Sequence, residues 1–382
     1  MSVPLSILDL APVSAGSTPQ QAIRNTVDLA RRAEDWGYHR YWLAEHHFVR
    51  VASSSTITLL GLVAAATSRI RVGSAAVQAG YHTSSAIVEA FGTIDALHPG
   101  RIDLGLGRSA HRRAEFGGAP SGRTPAKPAD APPRETVVRD GVVIPPPFEF
   151  AEFGDRSKYL AALHALYHQG ATPPDFADQV EEILALLDGT YKTPDGVALH
   201  AVPGEGADVQ VWLFGSSGGE SAELAGRLGL PLAAAYHVAP GTALDAVAAY
   251  RAAFRPSRFL REPYVVVSAD VVVAADDAGA RELASGYPYW VHSIRAEGGA
   301  VDYPDPNGLA PLTDEQRGVV EDRLATQFVG SPATVVERLR ALQRLTGADE
   351  LLVTTITHGH EDRLESHRLL AEAWGLRAAR AA

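Results

Sequence analysis

Cysteine is absent from all 382 residues of this chain, and methionine occurs once. The missing thiols exclude disulfides, thiolate nucleophiles, zinc ribbons and iron–sulfur clusters. No uninterrupted apolar run reaches the roughly 18–20 residues that a membrane span requires. The opening MSVPLSILDL lacks the basic and long apolar regions of a secretory signal. Basic residues are the minority, 34 Lys and Arg against 45 Asp and Glu, which gives a net charge of −11 and a pI near 5.7. That sign argues against nucleic acid or an anionic membrane as the main partner. A cytoplasmic enzyme or binding protein is expected, and a hydrophobic fraction of 46% supplies a large core.

What is present is a repeated alternation of strands and helices. Residues 5–11 (LSILDLA) form a short apolar run. Thr18, Pro19 and Gln21 then fit an N-cap, the first helical residue and the third position of a capping box, and Gly37 fits the C-terminal stop. A second strand carries YWLAE. The spacing predicts a helix over 53–68, a strand over 70–77, a helix over 84–97 and a strand over 102–107. Further strands are expected at 209–216, 232–238, 264–273 and 351–356. Eight strands alternating with helices in one chain predict a single α/β domain over 1–382, a (β/α)8 TIM barrel. Two stretches break the rhythm. Residues 112–160, with RTPAKPADAPPRE and VVIPPPFEF, are too proline-rich for regular structure and form a long insertion after strand 4. Residues 286–330 interrupt the unit between strands 7 and 8 and are expected to form a lid.

In such a barrel, function concentrates where strands end. Those ends supply Asp9, Glu45-His46-His47, Ala75-Ala76, Arg108, the Gly215–Gly219 run GSSGG, His237 and His358-Gly359-His360. The GSSGG turn opens into a helix, so its free amides and positive dipole end suit a phosphate, with Ser216, Ser217, Gly218 and Gly219 as the cradle and Arg108 as countercharge. A tight turn with a serine cap is the alternative. Three readings are open for EHH: a metal site, imidazoles that bond a ligand, or a structural pair held by Glu45. Strand alternation puts Glu45 and His47 on one side and His46 on the other, unless the strand has already ended. No further Asp or His at the other strand ends completes a metal shell, so no metal is expected.

The runs ILDLAPV, WLAEHHF, TSRIRVGSAAV, ALHPGRIDLGLGR, VWLFGSSGGES and GSPATVVERLRAL, followed by TGADELLVTT, together resemble the bacterial luciferase-like flavin-dependent monooxygenases. The resemblance covers residues 5 to about 110 and about 178 to 374. It implies a TIM barrel that binds reduced FMN, which reacts with O2 to a C4a-hydroperoxyflavin that oxygenates an organic substrate. It further implies that His46 is the active-site acid or base, that Glu45 lies near the flavin, that Ala75-Ala76 form a non-prolyl cis peptide beneath the ring, and that Arg108 and Ser216 to Gly219 hold the phosphate. A homodimer is implied as well. No GxGxxG follows a strand, so a separate reductase is expected to deliver FMNH2. Two departures from the family stand out: a serine, Ser216, occupies a place where luciferases carry glutamate, and SAHRRAEFGGAPSG leads into the insertion. His111, Arg112 and Arg113 there are candidate phosphate or substrate contacts. Phe148, Phe150, Phe153 and Tyr159 suggest a bulky aromatic substrate such as a polyketide. An F420-dependent hydride-transfer enzyme and a non-catalytic flavin-binding barrel are the alternatives.

Overall fold

Eight parallel strands close on themselves in the computed structural model, which describes residues 2–108, 135–148, 161, 165–166 and 174–377. They are β1 (Leu5–Asp9), β2 (Arg40–Leu43), β3 (Arg71–Ser74), β4 (Ile102–Gly107), β5 (Gln210–Gly215), β6 (Leu232–Ala234), β7 (Val265–Val273) and β8 (Glu350–Thr354). Each pairs with the next, and β8 pairs with β1 to complete the barrel. Side chains alternate between two environments, as the pleat demands. Leu5, Ile7, Tyr41, Leu43, Leu104, Leu106, Val267 and Val353 pack outward against the helices. Leu8, Trp42, Trp212, Ala233, Val266 and Leu352 fill the barrel. Trp42 and Trp212 meet edge to face at 5.4 Å. Gly73 makes room for them, since a Cβ there would lie 2.7 Å from the Trp42 ring.

The strands are shorter than the apolar runs suggest. The stretch expected as one strand over 70–77 is β3 followed by a separate pair, Val77–Gln78, because the Ala75–Ala76 peptide between them is cis. Helix α1 (Pro19–Trp36) starts as its sequence predicts, with Thr18 Oγ1 accepting from the Gln21 amide. Only half of the capping box forms, because the Gln21 side chain donates to Asn25 instead. Gly37 ends the helix in the left-handed region at φ 85°.

The described parts of both insertions contain regular structure despite their prolines. Within 112–160, Val137–Arg139 and Val142–Ile144 form an antiparallel hairpin. Asp140 and Gly141 make its two-residue turn at φ 50° and 81°, the sequence signal for which is Asp-Gly between apolar runs. The proline run that follows rests on Gly241, where a Cβ would lie 2.6 Å from the Pro145 carbonyl. The second insertion consists of two helices, Tyr287–Ala296 and Asp314–Thr326, and a strand, Phe328–Gly330, paired with the end of β7. It is laced over the barrel mouth by the Tyr303 amide donating to the Val13 carbonyl at 2.7 Å and the Arg50 amide donating to Ala300 at 2.9 Å. Arg295 ties the two helices together through Asp322 at 2.5 and 2.8 Å. Among the described residues no helix is long and apolar enough to cross a membrane.

Candidate active site

Continuing β2 past Leu43, the inward side of the chain carries Arg40, Trp42, Ala44 and then His46. The strand itself ends at Leu43, before EHH, yet Glu45 and His47 still meet. The buried Glu45 carboxylate accepts from His47 Nε2 at 2.8 Å, from His82 Nε2 at 3.4 Å and from the Gln78 amide at 3.3 Å. The Gln78 side chain in turn donates to the Glu45 carbonyl at 2.8 Å. Burial alone would raise the Glu45 carboxyl, but the two imidazole hydrogen bonds outweigh it and hold the group below its ordinary range. His82 and Gln78 lie more than thirty residues from Glu45, and neither is visible as its partner from spacing.

Gln78 pairs in register with Gly107, which precedes Arg108. A Cβ at Gly107 would come within 3.2 Å of Ala76 Cβ. The cis peptide and the glycine thus form a floor of small groups between β3 and β4. From its end, Arg108 reaches Glu220 at 2.9 Å. Glu220 opens α5 (Glu220–Leu228), the helix that follows the Ser216 to Gly219 turn. The turn is braced from β6: the Ala235 amide donates to the Gly215 carbonyl at 3.0 Å, and Thr242 Oγ1 donates to the Ser216 carbonyl. His237 follows on the same loop, its Nδ1 2.5 Å from Ser268 Oγ of β7.

Other strand-end groups serve the scaffold. Asp9 faces the helices, where it accepts from Arg363 at 2.6 Å and from Tyr41 at 2.5 Å. Burial would raise its pKa, but the Arg363 charge and the Tyr41 bond lower it overall. His358 Nε2 donates to the Ala15 carbonyl and His360 Nε2 pairs with Asp28, so the two do not converge with Glu45. Phe148 is covered by the Arg295 guanidinium at 3.7 Å, which pins the insertion to the cap. Phe150, Phe153, Tyr159, His111, Arg112 and Arg113 lie outside the described residues. A separate cavity of about 450 Å³ opens at the opposite end of the barrel, beside Arg40, Trp212 and Tyr264.

The cap brings a group that strand ends alone do not reveal. Asp270 of β7 is buried and accepts from Tyr287 and, at 3.0 Å, from Arg323. Desolvation raises its carboxyl even against the Arg323 charge. Beneath the cap, Trp290 Nε1, Tyr303 Oη and Arg323 Nε are buried donors with no acceptor among the described residues.

A closed parallel barrel with polar groups converging at the carboxyl ends of its strands defines an enzyme of the TIM-barrel class. Its family follows from sequence. The chain belongs to the luciferase-like monooxygenases, whose family profile matches residues 3–136 and 149–350. It is 34% identical to a luciferase-like monooxygenase of Escherichia coli (strain K12) over 370 residues, covering 96% of each chain. It is 37% identical to the uncharacterized protein YvbT of Bacillus subtilis (strain 168) over 383 residues, 97% of this chain and 96% of that one. The crystal structure of apo-MsnO8 superposes with a TM-score of 0.75 at 30% identity, covering 98% of this chain and 99% of the other. The protein is therefore a flavin-dependent monooxygenase.

The site's residues fit a flavin mononucleotide. The helix that begins at Glu220 presents the positive end of its dipole at the Ser216 to Gly219 turn, where its Ala222 and Glu223 amides already donate to the Gly219 carbonyl, and the Arg108 guanidinium reaches its first residue. Any larger side chain at Gly107 would crowd the Ala75–Ala76 floor, so its flatness depends on small residues.

Proposed function

We propose that the enzyme uses FMNH2 and O2 to oxygenate an organic substrate. The reading is carried by one observation: a small-residue floor, a helix-start anion cradle with Arg108, and the His46 loop border the same barrel mouth. Bound reduced flavin supplies the electrons that reduce O2, one atom of which enters the substrate while the other leaves as water. Arg108, Ser216, Ser217, Gly218 and Gly219 would hold the phosphate, and Ala75 and Ala76 would lie beneath the ring. Glu45 acts through His47 and Gln78 as a positioning residue that fixes the loop carrying His46. His46 would be the residue at which a proton is exchanged. The insertion between β7 and β8 excludes water. A separate reductase supplies FMNH2, and the protein works as a homodimer in the cytoplasm. The half-exposed Leu62 and the more exposed Leu97 leave apolar surface on the helices Thr56–Ala66 and Ser84–Leu97 for the second copy.

Rapid mixing of the anaerobic protein–FMNH2 complex with oxygenated buffer tests this. Flavin reoxidation slower than in free solution is expected. His46→Ala should bind FMN normally yet lose product formation by roughly 10²–10⁴-fold. Reoxidation as fast as that of free FMNH2, with tight binding of F420, would move the enzyme to hydride transfer.

A further inference from the structure

His237, at the mouth, is held by a hydroxyl, whereas His47 and His82 are held by the Glu45 carboxylate. Ser268 Oγ lies 2.5 Å from its Nδ1, 3.4 Å from its backbone nitrogen and 3.3 Å from the Ala234 carbonyl. A backbone N–H can only donate and a carbonyl can only accept. All three contacts are satisfied together when the hydroxyl proton turns to Ala234 and the serine lone pairs accept from His237. That arrangement puts the ring proton on Nδ1 and leaves a lone pair on Nε2. Among the described residues Nε2 has no hydrogen-bond partner. Yet it is not among the sealed orphan atoms, as both nitrogens of His367 are, and the side chain is part-exposed at the mouth. Asp270, two residues beyond Ser268, cannot charge the ring, because Tyr287 and Arg323 occupy its carboxylate.

We infer that His237 Nε2 accepts a hydrogen bond from the substrate, so that the substrate class carries an O–H or N–H donor, as a phenol or alcohol does. Burial first, then the Arg323 charge and His46, push the ring's pKa down to about 3, which keeps it an uncharged acceptor through the neutral range. The word substrate rests on the flavin monooxygenase reading; the acceptor site does not.

Calorimetric titration of the FMN-saturated protein with 2-naphthol and with 2-methoxynaphthalene, which lacks the donor, tests the inference. The wild type should favour the naphthol by about tenfold, the effect of one good hydrogen bond. His237→Phe should abolish that preference and leave FMN affinity unchanged, and Ser268→Ala should reduce it by freeing the ring. Equal binding of both probes by the wild type, or a preference that survives His237→Phe, would overturn the assignment. Weaker FMN binding in His237→Phe would also overturn it, by giving the residue to the flavin. Should that variant not fold, ring nitrogen spectra of 15N-histidine-labelled wild type decide: the signal that moves in Ser268→Ala must show an unprotonated Nε2. Retained naphthol preference in a protein that fails to bind FMN would defeat the proposed function while supporting the acceptor site.

Discussion

The two ends of the barrel use similar residues to opposite effect. At the amino-terminal end, Arg40 donates to Asp103 at 2.6 Å, Glu350 at 3.2 Å and Gln210 at 3.1 Å. Arg71 adds a second cation on Asp103 at 2.6 Å, while Tyr264 and Ser6 complete Glu350. Two arginines balance two carboxylates, and each has its partners. At the carboxyl-terminal end, Trp290, Tyr303 and Arg323 carry buried donors with none among the described residues, and His237 offers a lone pair that none of these residues uses. Satisfied networks rigidify, and unsatisfied ones cost free energy until something binds. Trp212 Nε1 beside the amino-terminal cavity also lacks a partner among the described residues, so the contrast lies in the charged groups: fully paired at one end, and at the other set among donors and imidazoles that face the mouth.

The largest effect should come from breaking the closed end. Arg40→Met leaves the buried Asp103 and Glu350 without their shared cation and should cost about 3–5 kcal/mol in urea unfolding. A loss below about 1 kcal/mol would mean that the network relaxes freely, and the distinction between the ends would fail. At the open end, Arg108→Ala should weaken FMN by about 1.5–3 kcal/mol in a fluorescence titration, with little change in unfolding. Glu220→Gln sharpens this test: releasing Arg108 from its carboxylate should tighten FMN, and unchanged affinity in both variants would remove Arg108 from the phosphate site.

Acid should separate two carboxylates of the open end by sign. The folded pKa of Glu45 lies below its ordinary 4.5, so its contribution is present above that pH and lost as pH falls through the lower folded value. The folded pKa of Asp270 lies above its ordinary 3.8, so the folded state binds the extra proton and gains on acidification. Between about pH 5.5 and 3, unfolding free energy should therefore fall less steeply in Glu45→Gln than in the wild type and more steeply in Asp270→Asn. Equal slopes in all three would show that neither group titrates with folding.

Much of the frame was legible before any coordinates. Eight apolar runs between helical patterns are a local signal, whereas the strand's end at Leu43, ahead of Glu45 and His47, was not marked in the sequence. The Asp140-Gly141 turn was equally readable but hidden by the prolines on either side. Partners joined only by closure were not. Arg40, Asp103 and Glu350 come from strands far apart in sequence, and the Asp270, Tyr287 and Arg323 cluster requires knowing where the second insertion lands. The cis peptide came through family resemblance alone, since two alanines carry no local signal for it. Glu220 sits four residues from Ser216, yet its pairing with Arg108 depends on β4 and β5 being neighbours.

The smallest effect is the most discriminating. Tyr303 is fully buried, its hydroxyl has no acceptor among the described residues, and burial drives its ionisation far above the ordinary range. Tyr287, on the same cap, donates a hydrogen bond to Asp270 and accepts one from Arg323 at 2.7 Å. Deleting a paired hydroxyl strands its partners, whereas deleting an unpaired one removes a desolvation cost. Tyr287→Phe should therefore lower thermal stability by about 1–3 kcal/mol, and Tyr303→Phe should leave it unchanged or raise it by up to about 1 kcal/mol. If the Tyr303 hydroxyl serves a ligand, the same variant should bind the naphthol probe less well while its melting temperature holds. A Tyr303→Phe protein that is clearly destabilised would mean that the hydroxyl already has a partner, and the open end would then resemble the closed one.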